Sequence, residues 1–297
     1  AIIVEFLERS DLLIGIGFEP VESDKLWHHT CPLVSVGPAS IASRAFRPRV
    51  ECIGDLRHAL AALREGPRPR SEWEDDAVAA LRARLDAALR PARRPQALSP
   101  YELTRALRSF LPRETILATD VGSIKSITTQ AWTCYEPLTF LESNGLSAMS
   151  YSFPAAMAAR LLCPDRPVLC TIGDGGFGMT LAEIETCVRE RLPFLTVVYN
   201  DSALSLIDVA QQNRGYATYG VKYGSVDFAA VAAGLGAWAR RVETLDALED
   251  AVREGLGAAG PAVIDALVDP AEYAAHHPRQ RNTTASTAAS AAPHRAD

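Results

Sequence analysis

From Ser99 to Val268 the chain repeats one pattern: a short apolar run of strand length, a polar turn, then a stretch with helical spacing. Runs at 115–119, 138–141, 168–172, 194–199, 237–242 and 262–268 read as strands. Stretches at 101–110, 151–162, 181–191, 228–235 and 245–256 read as helices. Such alternation leaves few packing solutions, because each helix must return over the sheet to start the next parallel strand. The expected fold class is α/β, a doubly wound, mainly parallel sheet with helices on both faces. Sites in such sheets lie beyond the carboxyl ends of the strands.

Upstream, 11–18 reads as a buried strand ending in glycines, 34–37 as another, and 55–64 as a helix. Between Gly66 and Pro100 the composition turns Pro- and Arg-rich around a charged helix at 76–89, as in an interdomain connection. The expected organisation is a partial α/β domain at 1–66, a linker with a helix at 67–98, a ligand-binding domain at 99–273 and a disordered tail at 274–297. The chain opens at Ala1 in an apolar-rich stretch without the basic start and cleavage site of a signal peptide. It reads as a chain cut mid-domain, or one whose preceding part is missing.

Composition excludes several classes of function. With 30 Lys+Arg against 36 Asp+Glu among 297 residues, and a net charge of -6, no basic face for nucleic acid is expected. No apolar run approaches the roughly 18 residues that a membrane span needs. Cys31, Cys52, Cys134, Cys163, Cys170 and Cys187 show no C-x-x-C pairing and read as buried, reduced thiols of a cytoplasmic protein. His28, His29 and His58 precede the linker and His276, His277 and His294 follow the last strand, so the central region offers no imidazole as acid or base.

The sharpest local signal is TIGDGGFG, from Thr171 to Gly178, where a strand should end and a helix begin. Thr180 and Glu183 form a T-x-x-E pattern expected to cap that helix. Glycines let the backbone approach a phosphate, and free N–H groups at a turn attract anions. A tight turn with no ligand is the bland alternative. Gly173, Gly175 and Gly178 also spell G-x-G-x-x-G, with Asp201 about where a ribose-binding acid would stand. That dinucleotide fingerprint normally opens the first strand of its domain, whereas strands precede it here, and the Asp174 carboxylate would repel a bare pyrophosphate. A divalent cation resolves the conflict, since Mg2+ takes one or two carboxylates together with phosphate oxygens. The next strand ends in Tyr199-Asn200-Asp201, and parallel neighbours can bring Asp201 to the same edge as Asp174.

These residues resemble the signature of thiamine diphosphate (ThDP) enzymes, here supplied by GDGGFGMTLAEIETCVRERLPFLTVVYND. The wider similarity is to the acetolactate synthase-like superfamily: SNGLSAMSYSFPAA from Ser143 to Ala156 resembles that family's SGGLGTMGFGLPAA, and TDVG from Thr119 to Gly122 resembles its TTVG-type cofactor loop. The resemblance covers nearly all of residues 1–273, as the end of a middle domain followed by the diphosphate-binding domain. It implies ThDP and Mg2+ as cofactors, with Asp174, Asp201 and the Ala203 carbonyl on the metal. It places Val121, Gly122, Ser123, Ile124, Ser147, Met149, Gly173, Gly175, Gly176, Leu206 and Ile207 against ThDP, Met149 pressing between its two rings. It also implies a 2-oxo acid substrate and an activating Glu on a pyrimidine-binding domain from another chain or a missing N-terminal part. No catalytic side chain is then expected on this chain, and the assembly would be a dimer or tetramer. FAD is left open but not indicated, since the flavin-bearing middle domain of some relatives is only partly represented.

Some residues depart from the family pattern. Ser123-Ile124 stands where acetolactate synthases commonly have Gln-His, and Ala210 stands at the place of a Trp that helps select a larger second 2-oxo acid. Asp201 in place of Asn adds a negative charge, for which Lys125, Arg214 or Lys222 could compensate. The stretch from Leu204 to Tyr223 reads as a long loop and a lid, with Gln211 as a substrate contact. Three readings follow: a ThDP- and Mg2+-dependent carboligase or decarboxylase acting on a 2-oxo acid, a ThDP-dependent lyase of 2-hydroxyacyl-CoA or benzaldehyde type, and a non-catalytic ThDP-binding subunit.

Overall fold

The structure is a computed structural model that describes residues 2–20, 31–43, 45–66, 72–90 and 97–276. The chain divides into two compact units, residues 1–90 with 144–147, and residues 91–143 with 148–297.

In the first unit α1 (Ile2–Glu8) is followed by β1 (Leu13–Ile16), β2 (Leu33–Gly37), β3 (Val50–Ile53), α2 (Leu56–Glu65) and α3 (Ala77–Leu89). The strands form a parallel sheet in the order β1-β2-β3. Asp55 starts α2 by accepting the backbone N–H groups of Arg57 and His58. The core here is small, with Leu33, Ile41 and Phe46 buried and Leu13 and Phe18 packed on them. The strand expected at 11–18 is shorter than its apolar run. β3 was not anticipated, since its four residues, with Glu51 among them, are too few to show a period.

The second unit contains α4 (Pro100–Phe110), β4 (Ile116–Thr119), α5 (Ser123–Ala131), β5 (Phe140–Glu142), α6 (Ser152–Leu162), β6 (Val168–Gly173), α7 (Asp174–Thr180) and α8 (Glu183–Arg189). It continues through β7 (Leu195–Asn200), α9 (Ser205–Asn213), α10 (Phe228–Gly234), β8 (Trp238–Val242), α11 (Leu245–Leu256), β9 (Ala262–Leu267) and α12 (Tyr273–His276). The six strands form one wholly parallel sheet ordered β5-β4-β6-β7-β9-β8.

Alternation along the strands builds both faces. Leu117, Leu169, Val197 and Ile264 point to a core shared with Leu103 and Leu107 of α4, Ile124 of α5 and Leu248 of α11. Ala118, Cys170, Val198 and Val263 point to the opposite core, with Phe153 of α6, Phe177 of α7, Ile184 of α8 and Phe228 of α10. The chain leaves β4 toward β5 on one side and returns to β6 on the other. The switch point therefore lies between β4 and β6, where a crevice opens beyond the strand ends.

Several expectations are corrected. The helix expected at 181–191 is preceded by α7, which starts at Asp174 directly after β6. The T-x-x-E pattern does not cap, because the Thr180 hydroxyl instead accepts a hydrogen bond from Ser150 Oγ at 2.8 Å. The expected long loop from Leu204 begins as α9. Residues 274–276, expected in the tail, belong to α12. Residues 277–297, the linker stretches 67–71 and 91–96, and His28 and His29 lie outside the described residues. The cysteines are all free, yet only Cys170 and Cys187 are buried, while Cys52 and Cys134 are exposed. Among the described residues no helix is long and apolar enough to cross a membrane.

Candidate functional site

Three neighbouring strand ends build the site. After β4 the chain runs through Asp120 and Val121 to Gly122, whose φ of 120° suits glycine and lets α5 begin at Ser123. β6 passes into α7 with Gly173 as the last extended residue and Asp174 as the first helical one. β7 ends at Asn200, and Asp201–Leu204 turn sharply, with Ser202 at φ 57°, into α9.

Close contacts also favour glycine in the turn after β6. A Cβ on Gly175 would lie 2.8 Å from Leu204 Cδ2, and one on Gly176 would run into Asp120 Oδ2. Asp120 is fully buried and accepts hydrogen bonds from the amides of Ser150 at 2.9 Å and Ser152 at 3.3 Å. It thereby ties the β4 loop to the start of α6 beneath the glycine turn, a role that the sequence reading did not assign to it.

Asp174 and Asp201 stand at the carboxyl ends of adjacent strands, since Gly173 pairs with Tyr199 in register. Asp174 Oδ1 accepts from Gly175 N and from the Tyr223 hydroxyl, each at 2.7 Å. Its Oδ2 accepts from Ser202 N at 2.6 Å and Asp201 N at 3.2 Å. Asp201 accepts from Ala203 N at 3.0 Å and from Ser205 Oγ at 2.5 Å. Burial pushes the Asp201 carboxyl up to about 7, partly offset by the Ser205 hydrogen bond, while the Asp174 charge raises it further. Burial likewise raises Asp174 against its amide and Tyr223 donors, and Asp120 against the Ser150 and Ser152 amides. Burial thus disfavours the ionised form of both acids in this crevice.

They line one cavity of about 250 Å3. Every residue expected at the cofactor or the metal lines it except Ser147. Ser147 instead takes a left-handed φ of 48° in a turn that also bends at Gly145 and Ser150, and it groups with the first unit. Met149 lies over the glycine turn, its Cε 3.5 Å from where a Gly175 Cβ would be. Leu204, Tyr199 and Tyr273 complete the apolar wall and were not anticipated.

The remaining expected residues lie elsewhere. Gln211 is not a wall of the cavity, because its amide pairs with both the N–H and the C=O of Tyr219. Lys222 is 3.6 Å from Asp208 and slightly lowers the Asp201 carboxyl. Lys125 donates to the Ser143 carbonyl, and Arg214 is exposed.

A diphosphate bound through a divalent cation fits these residues. The buried Ser123 hydroxyl belongs to the cavity lining and has no hydrogen-bond partner among the described residues, which suits an anionic oxygen. The glycines leave room for that anion, and the two raised carboxyls suit a cation between them and it. No cluster of three or more His, Cys, Asp or Glu occurs among the described residues. A third protein ligand would therefore come from a carbonyl such as that of Ala203.

Fold and cavity define the class: a parallel α/β cofactor-binding domain whose glycine turn and paired acids face one crevice at the switch point. Residues 120–266 match the family described as "Thiamine pyrophosphate enzyme, C-terminal TPP binding domain". The chain belongs to the thiamine diphosphate-dependent enzymes of the acetolactate synthase-like family. It is 30% identical to the acetolactate synthase of Bacillus subtilis (strain 168) over 291 residues, which cover 89% of this chain and 48% of that protein. It is 31% identical to the catabolic acetolactate synthase of Raoultella terrigena, over 89% of this chain and 48% of the relative. It is also 31% identical to a probable 2-ketoarginine decarboxylase of Pseudomonas aeruginosa, over 88% of this chain and 47% of the relative. Among solved structures, the thiamine diphosphate-dependent 4-hydroxybenzoylformate decarboxylase of Rhodococcus jostii RHA1 shares the fold. Its TM-score is 0.70 at 19% identity, over 89% of this chain and 50% of the other. The chain spans about half the length of the curated relatives it matches.

Proposed function

We propose that this chain supplies the diphosphate-binding half of a ThDP- and Mg2+-dependent enzyme that decarboxylates a 2-oxo acid or joins it to a second carbonyl compound. The observation that carries this reading is the placement of Asp174 and Asp201 at adjacent strand ends, in one cavity with Gly175 and Gly176. Asp174, Asp201 and the Ala203 carbonyl would hold the cation. The glycine turn and the Ser123 hydroxyl would hold the diphosphate. Met149, Ile124, Leu206 and Ile207 would give the cofactor rings an apolar, water-poor seat. Bound there, the cofactor supplies the electron sink for carbon–carbon bond cleavage and formation, and the protein supplies orientation and electrostatics.

The activities named for the relatives support the substrate class, since acetolactate synthases and a probable 2-ketoarginine decarboxylase share 30–31% identity with the chain. A pyrimidine-binding domain or subunit is proposed as the partner that completes the site. In support, Met149 and Ile207, at the cavity, are 37% and 50% exposed and present an apolar rim.

Calorimetry with ThDP and Mg2+ tests the assignment. Asp174→Ala should abolish cofactor binding, while Asp201→Asn, which keeps an oxygen donor and removes one charge, should retain it. Unchanged affinity in Asp174→Ala would overturn the reading. Carbon dioxide release from pyruvate by the completed assembly, with and without ThDP and Mg2+, tests the reaction class.

A further inference from the structure

Asp174 is already fully engaged, and the identity of its partners decides how a cation can reach it. An ionised carboxylate offers about four lone-pair sites. Four donors fill them: Gly175 N and Tyr223 Oη on Oδ1, and Ser202 N and Asp201 N on Oδ2. A cation can therefore coordinate Asp174 only by taking the place of one donor.

Three of the four are backbone amides, fixed by the start of α7 and by the turn that begins at Asp201. None can withdraw without unmaking that helix start or that turn. Tyr223 is the exception, because only its side chain has to move. Its backbone is held independently: Tyr223 N donates to Ser202 O at 3.2 Å, Leu204 N donates to Val221 O at 2.8 Å, and Lys222 pairs antiparallel with Ala203. The residue is 38% exposed, so the phenol can swing into solvent while the segment stays in place. Its hydroxyl also stands 3.3 Å from where a Cβ on Gly175 would be, beside the glycine turn.

Resting on the cofactor reading above, we propose that the Tyr223 phenol and the divalent cation compete for Oδ1 of Asp174, so that Tyr223 sets the cation concentration at which the site fills. The hydroxyl keeps the buried carboxylate hydrogen-bonded until a cation replaces it. Loading then costs one charge-assisted hydrogen bond, which is stronger than a neutral one.

Titrating MgCl2 alone into the full chain by calorimetry, then ThDP at fixed Mg2+, tests this with Tyr223→Phe, which keeps the ring and removes the donor. The Kd for Mg2+ should fall by roughly tenfold, the scale of one hydrogen bond to a charged group. In the wild type, Mg2+ should also produce a near-ultraviolet tyrosine difference signal that is absent from the variant. Equal or weaker Mg2+ binding by Tyr223→Phe, or an unchanged tyrosine signal, would overturn the proposal and leave Tyr223 as a support for Asp174. If Asp174→Ala keeps Mg2+-dependent ThDP binding, the cofactor assignment fails first and this inference falls with it, whatever Tyr223→Phe does.

Discussion

Asp201 sits where burial and a neighbouring acid both disfavour its charge, and the sign of that effect is measurable in the cation-free chain. Burial pushes its carboxyl up to about 7 in the folded chain, from 3.8 without the fold. The folded state thus binds the proton more tightly than the unfolded one. The cost is absent below about pH 4, grows as pH rises through the window to about 7, and is complete above it. Thermal unfolding in a chelating buffer should show the chain losing stability across that window. Asp201→Asn should flatten the decline in part, the remainder belonging to Asp174 and Asp120, whose carboxyls are raised in the same direction. A variant whose melting temperature falls with pH as steeply as the wild type would show that Asp201 does not carry the charge cost.

At the scale of elements, the end of the second unit is tied to its beginning by one buried carboxylate. Ser99 starts α4 by accepting the Glu102 amide at 3.2 Å, and its hydroxyl donates to Glu272 Oε2 at 2.5 Å. Glu272 Oε1 accepts the Tyr101 amide at 3.0 Å. Glu272→Ala would remove both of these buried hydrogen bonds and should lower unfolding free energy by about 2 kcal/mol, with Glu272→Gln intermediate. Urea denaturation measures both. The elements that the sequence revealed are those with a clear period. β6, β7 and β9 are mostly apolar runs, with Asp265 the one charged residue among them, α11 alternates apolar and charged faces, and the strand-to-turn passage at Gly173 follows from glycine and aspartate chemistry. Those it hid lack such a signature. α5 (SIKSITTQA) is polar and β-branched, with its start enabled by the backbone of Gly122. α7 contains three glycines, which are poor helix formers, and the atoms that press on two of them, Leu204 Cδ2 at Gly175 and Asp120 Oδ2 at Gly176, come from elsewhere in the sequence. α9 hides in a Gly-, Tyr- and Gln-rich stretch. The acids of the site were readable because they flank strand ends, whereas Tyr223 lies beyond α9 in sequence and reaches Asp174 only through the antiparallel pairing of Lys222 with Ala203.

Over the whole molecule the two units differ in how well their sheets are covered, and stability should follow that difference. Parallel sheets normally have helices over both faces. In the second unit every residue of β7 is buried, as are all but the last residues of β6 and β9. In the first unit β1 alternates half-buried and exposed residues, β3 has one half-buried residue, and α1 and α2 bury none. Local opening costs least where few apolar contacts and many exposed backbone hydrogen bonds occur. Hydrogen exchange followed by mass spectrometry should therefore find amides of β1, β3 and α2 exchanging well before those of β6, β7 and β9. ThDP with Mg2+ should add protection at 120–124, 173–176 and 200–207, where the cavity is built, and little to β1–β3. Uniform exchange across both sheets would show that the first unit gains its stability from contacts other than its own core. Added protection confined to the first unit would place the ligand away from the glycine turn.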